Sequence, residues 1–213
     1  MKIGFIGAGN IGGTAAKLFV DAGHEVVISN SRGPETLADV ENETRAKAVA
    51  VEEAAVFGDV IFVSIPLGKY KSLSPSDLDG KIVIDSNNYY PGRDGEIAEV
   101  DSGLATSSEL LAKHLSGSKV VKAFNTIWFE HLRSEGDKSK PIGERRVIFV
   151  SGDDADAKSV VSGLIEEIGF APYDLGTLGA SGIQQPDSVI YNKSINIEEA
   201  RKILAENSDG ASA

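Results

Sequence analysis

The chain has 213 residues and a mass of 22.4 kDa, enough for one large domain or a main domain with a small extension. Its 41% hydrophobic and 25% charged residues exclude a wholly disordered chain, and 21 Lys and Arg against 32 Asp and Glu (net −11) argue against nucleic acid or an anionic membrane as partner. Without cysteine there is no disulfide, thiolate nucleophile or Cys-bound metal. The acidic balance leaves room for a small anionic ligand, because one well-placed arginine outweighs a distant negative field. The apolar run Ile3–Ile6 is broken by glycines, no window approaches the roughly 20 apolar residues of a membrane helix, and a cytoplasmic protein is expected. Glycine is enriched, with 23 residues.

Lys2 to Ile6 reads as a short buried strand, followed at once by Gly7-Ala8-Gly9-Asn10-Ile11-Gly12. Ile11, Ala15, Leu18 and Phe19 form the apolar side of a helix from Asn10 to Ala22, which Gly23 ends. His24 to Ser29 is a second strand, completing a βαβ unit. Alternation then continues through a helical stretch over Leu37–Asn42, a weak strand over Arg45–Val49, a helical turn or two over Glu52–Phe57 and a strong strand over Val60–Val63. Pro66 makes Ser64–Leu67 a loop. Lys81–Asp85 is a fifth strand, and Thr106-Ser107-Ser108-Glu109 is a capping box opening a helix through Leu115. Val120–Ala123 is a sixth strand, trailed by a helix over Thr126–Ser134 and an exposed loop over Glu135–Glu144. Arg145–Ser151 is a seventh strand, Asp153 or Asp154 caps a helix ended by Gly169, and Phe170–Asp174 is an eighth strand. Asn196–Glu199 is a second capping box starting a helix through Leu204, with Asn207–Ala213 frayed. The fold class is therefore α/β: a Rossmann-type, doubly wound, mostly parallel sheet of about eight strands. A dinucleotide-binding domain over residues 1–175 carries a short C-terminal helical extension over 176–213.

A Gly-x-Gly-x-x-Gly alone is weak in a glycine-rich chain, but here it leaves a strand, opens a helix and precedes a second strand. Gly7 permits the tight turn, Gly9 the approach of a pyrophosphate, and Gly12 close helix–strand packing, with the anion at the helix N-terminus. An NAD site needs a carboxylate roughly 20 residues downstream, at the end of the second strand. The chain instead reads Asn30-Ser31-Arg32-Gly33, offering an amide, a hydroxyl and a guanidinium to a 2′-phosphate, so NADP(H) is expected. On the nicotinamide side, Ser64, Ile65 and Pro66 supply an apolar shelf, and Ala123, Phe124, Asn125 and Thr126 leave the sixth strand toward the ring. Asn125 can hold the nicotinamide carboxamide or a substrate carbonyl, or can cap the next helix. Lys122, within a buried strand, either serves the site or pairs with a local carboxylate. No residue stands out as a general acid, and no set of histidines forms a metal site; hydride transfer between two rings needs mainly positioning and exclusion of water.

The segments Gly7–Gly12, Ser31-Arg32, Val63–Pro66, Asp85–Tyr89, Ser107–Leu111 and Val120–Thr126 resemble the deazaflavin-dependent NADP oxidoreductase family, whose members exchange hydride between NADP(H) and coenzyme F-420. They are similar also to the N-terminal NADPH-oxidoreductase domain of membrane metalloreductases. The resemblance implies that Ser31 and Arg32 hold the 2′-phosphate and Asn10 and Ile11 lie along the pyrophosphate turn. It also implies that Ile65 and Pro66 border the nicotinamide ribose and that Ala123–Thr126 line the ring, Asn125 and Thr126 positioning the reacting pair. The chain departs from the deazaflavin users after the sixth strand, where Phe124-Asn125 stands in place of their histidine-bearing stretch.

The expected activity is NADPH-dependent hydride transfer to a flavin, a deazaflavin or a similar planar acceptor. The alternatives are reduction of a small carbonyl or imine, for which little chain remains to build a substrate domain, and a non-catalytic NADP sensor. A homodimer is expected, because Ile183, Val189, Ile190 and Tyr191 in the extension need burial against something.

Overall fold

The computed structural model describes residues 1–210. Strand β1 (Lys2–Ile6) leads through helix α1 (Asn10–Asp21) to β2 (Glu25–Ser29). A 3-10 turn over Pro34–Leu37 and α2 (Ala38–Thr44) precede the two-residue β3 (Lys47–Ala48), then α3 (Val51–Phe57) and β4 (Val60–Val63). After β5 (Ile82–Asp85), single helical turns α4 (Pro91–Asp94) and α5 (Ala98–Asp101) lead to α6 (Ser107–His114) and β6 (Lys119–Lys122). The chain closes with α7 (Phe129–Ser134), β7 (Val147–Gly152), α8 (Ala155–Glu167), β8 (Ala171–Asp174) and α9 (Ile197–Gly210).

The described strands form one eight-stranded sheet in the order β3-β2-β1-β4-β5-β6-β7-β8. All neighbours are parallel except β6 and β7, which meet antiparallel through Val121–Gly152 and Lys122–Ser151. From β1 the order runs outward in both directions, so the crevice at the carboxyl ends of β1 and β4 is the topological switch point. Period-two alternation sends Phe5, Phe62, Ile84 and Val121 to the face covered by α1, α7 and α8, and Ile61, Val63, Val83 and Val120 to the face covered by α6. Gly4 is required because a Cβ there would overlap the Ala54 carbonyl, so α3 lies directly on β1.

Both capping boxes form: Thr106 with Glu109 at α6, and Asn196 with Glu199 at α9. Asp154, rather than Asp153, caps α8 by accepting from the Ala157 N–H at 2.8 Å. Three expectations need correction. The helix expected from Thr126 starts only at Phe129, because Trp128, its first capping residue, is extended (ψ 140°). Asn207–Gly210, expected to fray, belong to α9, where Ser208 Oγ donates to the Leu204 carbonyl; the same expectation for Ala211–Ala213 lies outside the described residues. The apolar groups expected to seek a dimer partner are largely covered within the chain. Ile190 is fully buried with Val147, Phe149, Ala171 and Ala200, Ile183 packs against the same cluster, and only Val189 stays 41% exposed. No helix among the described residues is long and apolar enough to cross a membrane.

Candidate functional site

A cleft of about 980 Å³ opens at the switch point. Three loops build it: Ile6–Gly9 after β1, Asn30–Gly33 after β2, and Ser64–Pro66 after β4. Gly7 holds φ at +111°, and a Cβ there would overlap the Ser64 carbonyl; a Cβ on Gly12 would overlap the Gly7 carbonyl. A Cβ on Gly9, by contrast, would meet nothing within 4 Å, so the backbone is bare where a ligand approaches. Gly9 caps α1 without a side-chain hydrogen bond and no acidic residue occupies the first turn, which leaves the helix N–H groups to an anion.

At the second loop, Ser31 and Arg32 are exposed and face the cleft. Asn30 is spent on the turn itself: its Oδ1 accepts from the Arg32 N–H at 2.8 Å and its Nδ2 donates to Thr36 Oγ1 at 2.9 Å. Asn30–Gly33 carry no carboxylate of their own, although that of Glu35 lies against Gly33; Glu52, in the first turn of α3, reaches another wall of the cleft, and Lys69 and Ser72 line it beyond Pro66. A Gly cradle that any Cβ would fill and a guanidinium beside a hydroxyl together fit a dinucleotide carrying a 2′-phosphate.

The third loop is tied to the end of β5, because Asn87 Oδ1 accepts from the Ile65 N–H at 2.8 Å. Beneath it lies a buried ion pair. Lys122 Nζ is 3.2 Å from Asp85 Oδ2, both side chains fully buried, and Lys122 also donates to the Asn87 carbonyl. Ser108 Oγ donates to the same Asp85 oxygen at 2.6 Å and the Asn87 N–H to the other at 3.0 Å, so the carboxylate is fully engaged. Burial pushes the Lys122 ammonium below the usual lysine range and Asp85 pulls it back up. The lysine is thus a clamp between β5, β6 and the Asn87 loop.

Farther along the carboxyl edge, Asn125 Nδ2 donates to Asn88 Oδ1 (2.9 Å) and to the Gln184 carbonyl, and its Oδ1 accepts from Gln184 Nε2 at 3.3 Å. Asn88 Nδ2 donates to the Asn125 carbonyl and to Tyr191 Oη, which lies 2.8 Å from Tyr90 Oη. Partial burial and the neighbouring Tyr90 hydroxyl push the Tyr191 phenol well above the usual tyrosine range. The extension therefore delivers Gln184 and Tyr191 to the loops after β5 and β6.

The structure brings Gly7, Ala8, Gly9, Asn30, Ser31, Arg32, Ser64, Ile65 and Pro66 around one cleft. Asn10, Ile11 and Gly12 form the first turn of α1 beside it. Ala123, Phe124, Asn125 and Thr126 follow β6 and are buried. Phe124 turns the chain with φ +66° and packs its ring 5.2 Å from Phe62 and 6.1 Å from Phe19, inside the core. Asn125 does not cap α7, where Trp128 takes that position. Gln184, Tyr90 and Tyr191 were not legible: Gln184 and Tyr191 lie in an aperiodic stretch, and only contact across about 100 positions brings Tyr191 to Tyr90.

Residues 2–89 match the family described as NADP oxidoreductase, coenzyme F420-dependent. A hypothetical protein, SMa0349 from Sinorhizobium meliloti, superposes with a TM-score of 0.80 at 35% identity, covering 92% of this chain and 95% of that one. A putative F420-dependent NADP reductase from Arthrobacter sp. FB24 superposes at 0.71 with 26% identity, covering 84% of this chain and 86% of that one. Metalloreductase STEAP3 of Rattus norvegicus is 31% identical over 182 residues, which is 84% of this chain and 35% of the metalloreductase. The chain thus spans about a third of the length of the curated relatives it matches.

Proposed function

From the premise that the chain belongs to the coenzyme F420-dependent NADP oxidoreductase family, we propose that it transfers hydride between NADP(H) and a flavin, a deazaflavin or a similar planar acceptor. The observation that carries this reading is the pairing of the glycine cradle with Ser31 and Arg32, in a stretch Asn30–Gly33 that carries no carboxylate of its own. When bound, NADPH supplies the hydride. The chain's residues hold and orient it: the Gly7–Gly9 backbone and the start of α1 take the pyrophosphate, and Arg32 with Ser31 takes the 2′-phosphate. Ile65 and Pro66 form the apolar wall that excludes water from the reacting face, and Asn87 fixes that wall through the Ile65 N–H. Asn125 acts from behind, by holding the loops after β5 and β6 in register, while the Thr126 carbonyl accepts from the Asn192 N–H of the extension.

The Tyr90–Tyr191 hydroxyl pair favours a second reading, reduction of a small carbonyl or imine, because such a substrate needs a proton as well as a hydride. NADPH oxidation followed against FMN, FAD, coenzyme F-420, ketones and cyclic imines separates the two. The first reading expects turnover with an isoalloxazine or deazaflavin ring and none with ketone or imine; the reverse pattern would replace it with the second.

A further inference from the structure

Among the described residues that line the dinucleotide cleft, Glu52 is the one carboxylate; Glu35 lies against Gly33 without lining it. NADP(H) brings three phosphate groups to that cleft. An exposed anion on the wall therefore opposes the ligand unless it faces a part of the ligand that donates hydrogen bonds. Among the described residues Glu52 makes no ion pair and its carboxylate accepts no hydrogen bond, so it is free to serve such a donor.

The sheet decides which part of the ligand it faces. Strand β3 runs parallel to β2, with Ala48 level with Ile28 and the Val49 N–H donating to the Ile28 carbonyl at 3.0 Å. Ala50, Val51 and Glu52 therefore leave the sheet beside Asn30–Gly33, at one end of the cleft. Ile65 and Pro66 follow β4, three strands from β3, or roughly 14 Å at the usual spacing. With the pyrophosphate at Gly7–Gly9 and the 2′-phosphate at Arg32, the nicotinamide belongs over β4 and the adenosine over β2 and β3.

The walls at the adenosine end suit a flat base. Val51, from the start of α3, and Leu73, from the turn after Pro66, line the cleft and belong to one apolar cluster. Lys69 and Ser72 stand on that same turn. On an adenosine whose 2′-hydroxyl is esterified, the remaining donors are the 3′-hydroxyl and the exocyclic amine of adenine. Glu52 shares its turn with the apolar Val51, whereas the sugar and its phosphate are taken by Ser31 and Arg32 on the facing loop. The base amine is the donor within its province.

Resting on the NADP(H) reading of the cleft, we propose that Glu52 is a specificity residue that reads the base. Its carboxylate accepts from the exocyclic amine of adenine, so the cleft selects an adenine dinucleotide over the deaminated, hypoxanthine counterpart. The counterpart would set a carbonyl oxygen against the carboxylate, two acceptors with no proton between them.

The test is calorimetric titration of NADPH and of reduced nicotinamide hypoxanthine dinucleotide phosphate against wild type and Glu52→Gln. Wild type should bind NADPH about tenfold more tightly than the analogue. The glutamine amide can turn its oxygen to an amine or its N–H to a carbonyl, so Glu52→Gln should bring that ratio below about threefold. A thermal melt verifies that the variant is folded. A purely structural acid at the start of α3 would change the melt and leave the base ratio unmoved, and that result would overturn the proposal. Equal binding of NADPH and the analogue by wild type would overturn it too, while leaving the NADP(H) reading intact. Absence of binding by either nucleotide would overturn both.

Discussion

Gly12 and Asn125 illustrate two different demands on single residues. Gly12 has no room for a methyl group against the Gly7 carbonyl, so Gly12→Ala must push α1 away from the turn. NADPH binding should weaken more than tenfold, by about 1.4 kcal/mol or more, in a fluorescence titration. Asn125 is buried, and its side chain makes hydrogen bonds to Asn88 and Gln184. Asn125→Ala strands those partners and should cost ~2–6 kcal/mol in urea unfolding, from two orphaned groups at about 1–3 kcal/mol each. Lost turnover without lost stability would instead place the amide against the reacting pair. The glycines were legible because a backbone clash leaves its mark in the motif. The Asn125 partners were not, because a buried amide satisfied across more than 50 positions leaves no local pattern.

At the level of elements, the strand runs Val60–Val63 and Ile82–Ile84 announced themselves as continuous apolar stretches, as strands covered on both faces do. The strand β7 was legible too, but its antiparallel direction was not, since a run of apolar residues looks the same in either direction. Lys122 inside β6 is the element-scale exception to the apolar rule. Lys122→Met should destabilise by ~3–5 kcal/mol, because it leaves Asp85 charged and buried without its cation. Adding Asp85→Asn should recover part of that loss in the same urea titration. Full additivity of the two substitutions would argue against the clamp.

Asp154 gives a pH signature to α8. The Ala157 N–H, then Lys119 at 3.0 Å, hold its carboxyl below the usual aspartate range. A carboxyl lowered in the folded state adds stability that is complete above its unfolded pKa and is lost as pH falls through its folded pKa. Thermal melts of wild type and Asp154→Asn should therefore differ most near neutrality and converge in acid. A gap that widens on acidification would contradict the assignment.

Across the whole molecule, binding and closure fall on different halves. The dinucleotide cleft uses the loops after β1, β2 and β4, whereas β7, β8 and α9 close the far edge through Val147, Phe149, Ile190 and Ala200. Ile190→Ala should cost ~2–5 kcal/mol of stability while leaving NADPH affinity unchanged in the folded protein. The order of elements was readable as alternation. The inward packing of the extension was not, since its apolar residues sit among glycines with no repeating period.

The central claim is that Arg32 selects a 2′-phosphate from a loop, Asn30–Gly33, that carries no carboxylate of its own. Calorimetric titration of NADPH and NADH against wild type and Arg32→Ala tests it most directly. NADPH should bind wild type at least about tenfold more tightly than NADH, and the substitution should remove ~1.5–3 kcal/mol from NADPH binding while barely altering NADH. Equal affinity of the wild type for both nucleotides would contradict it.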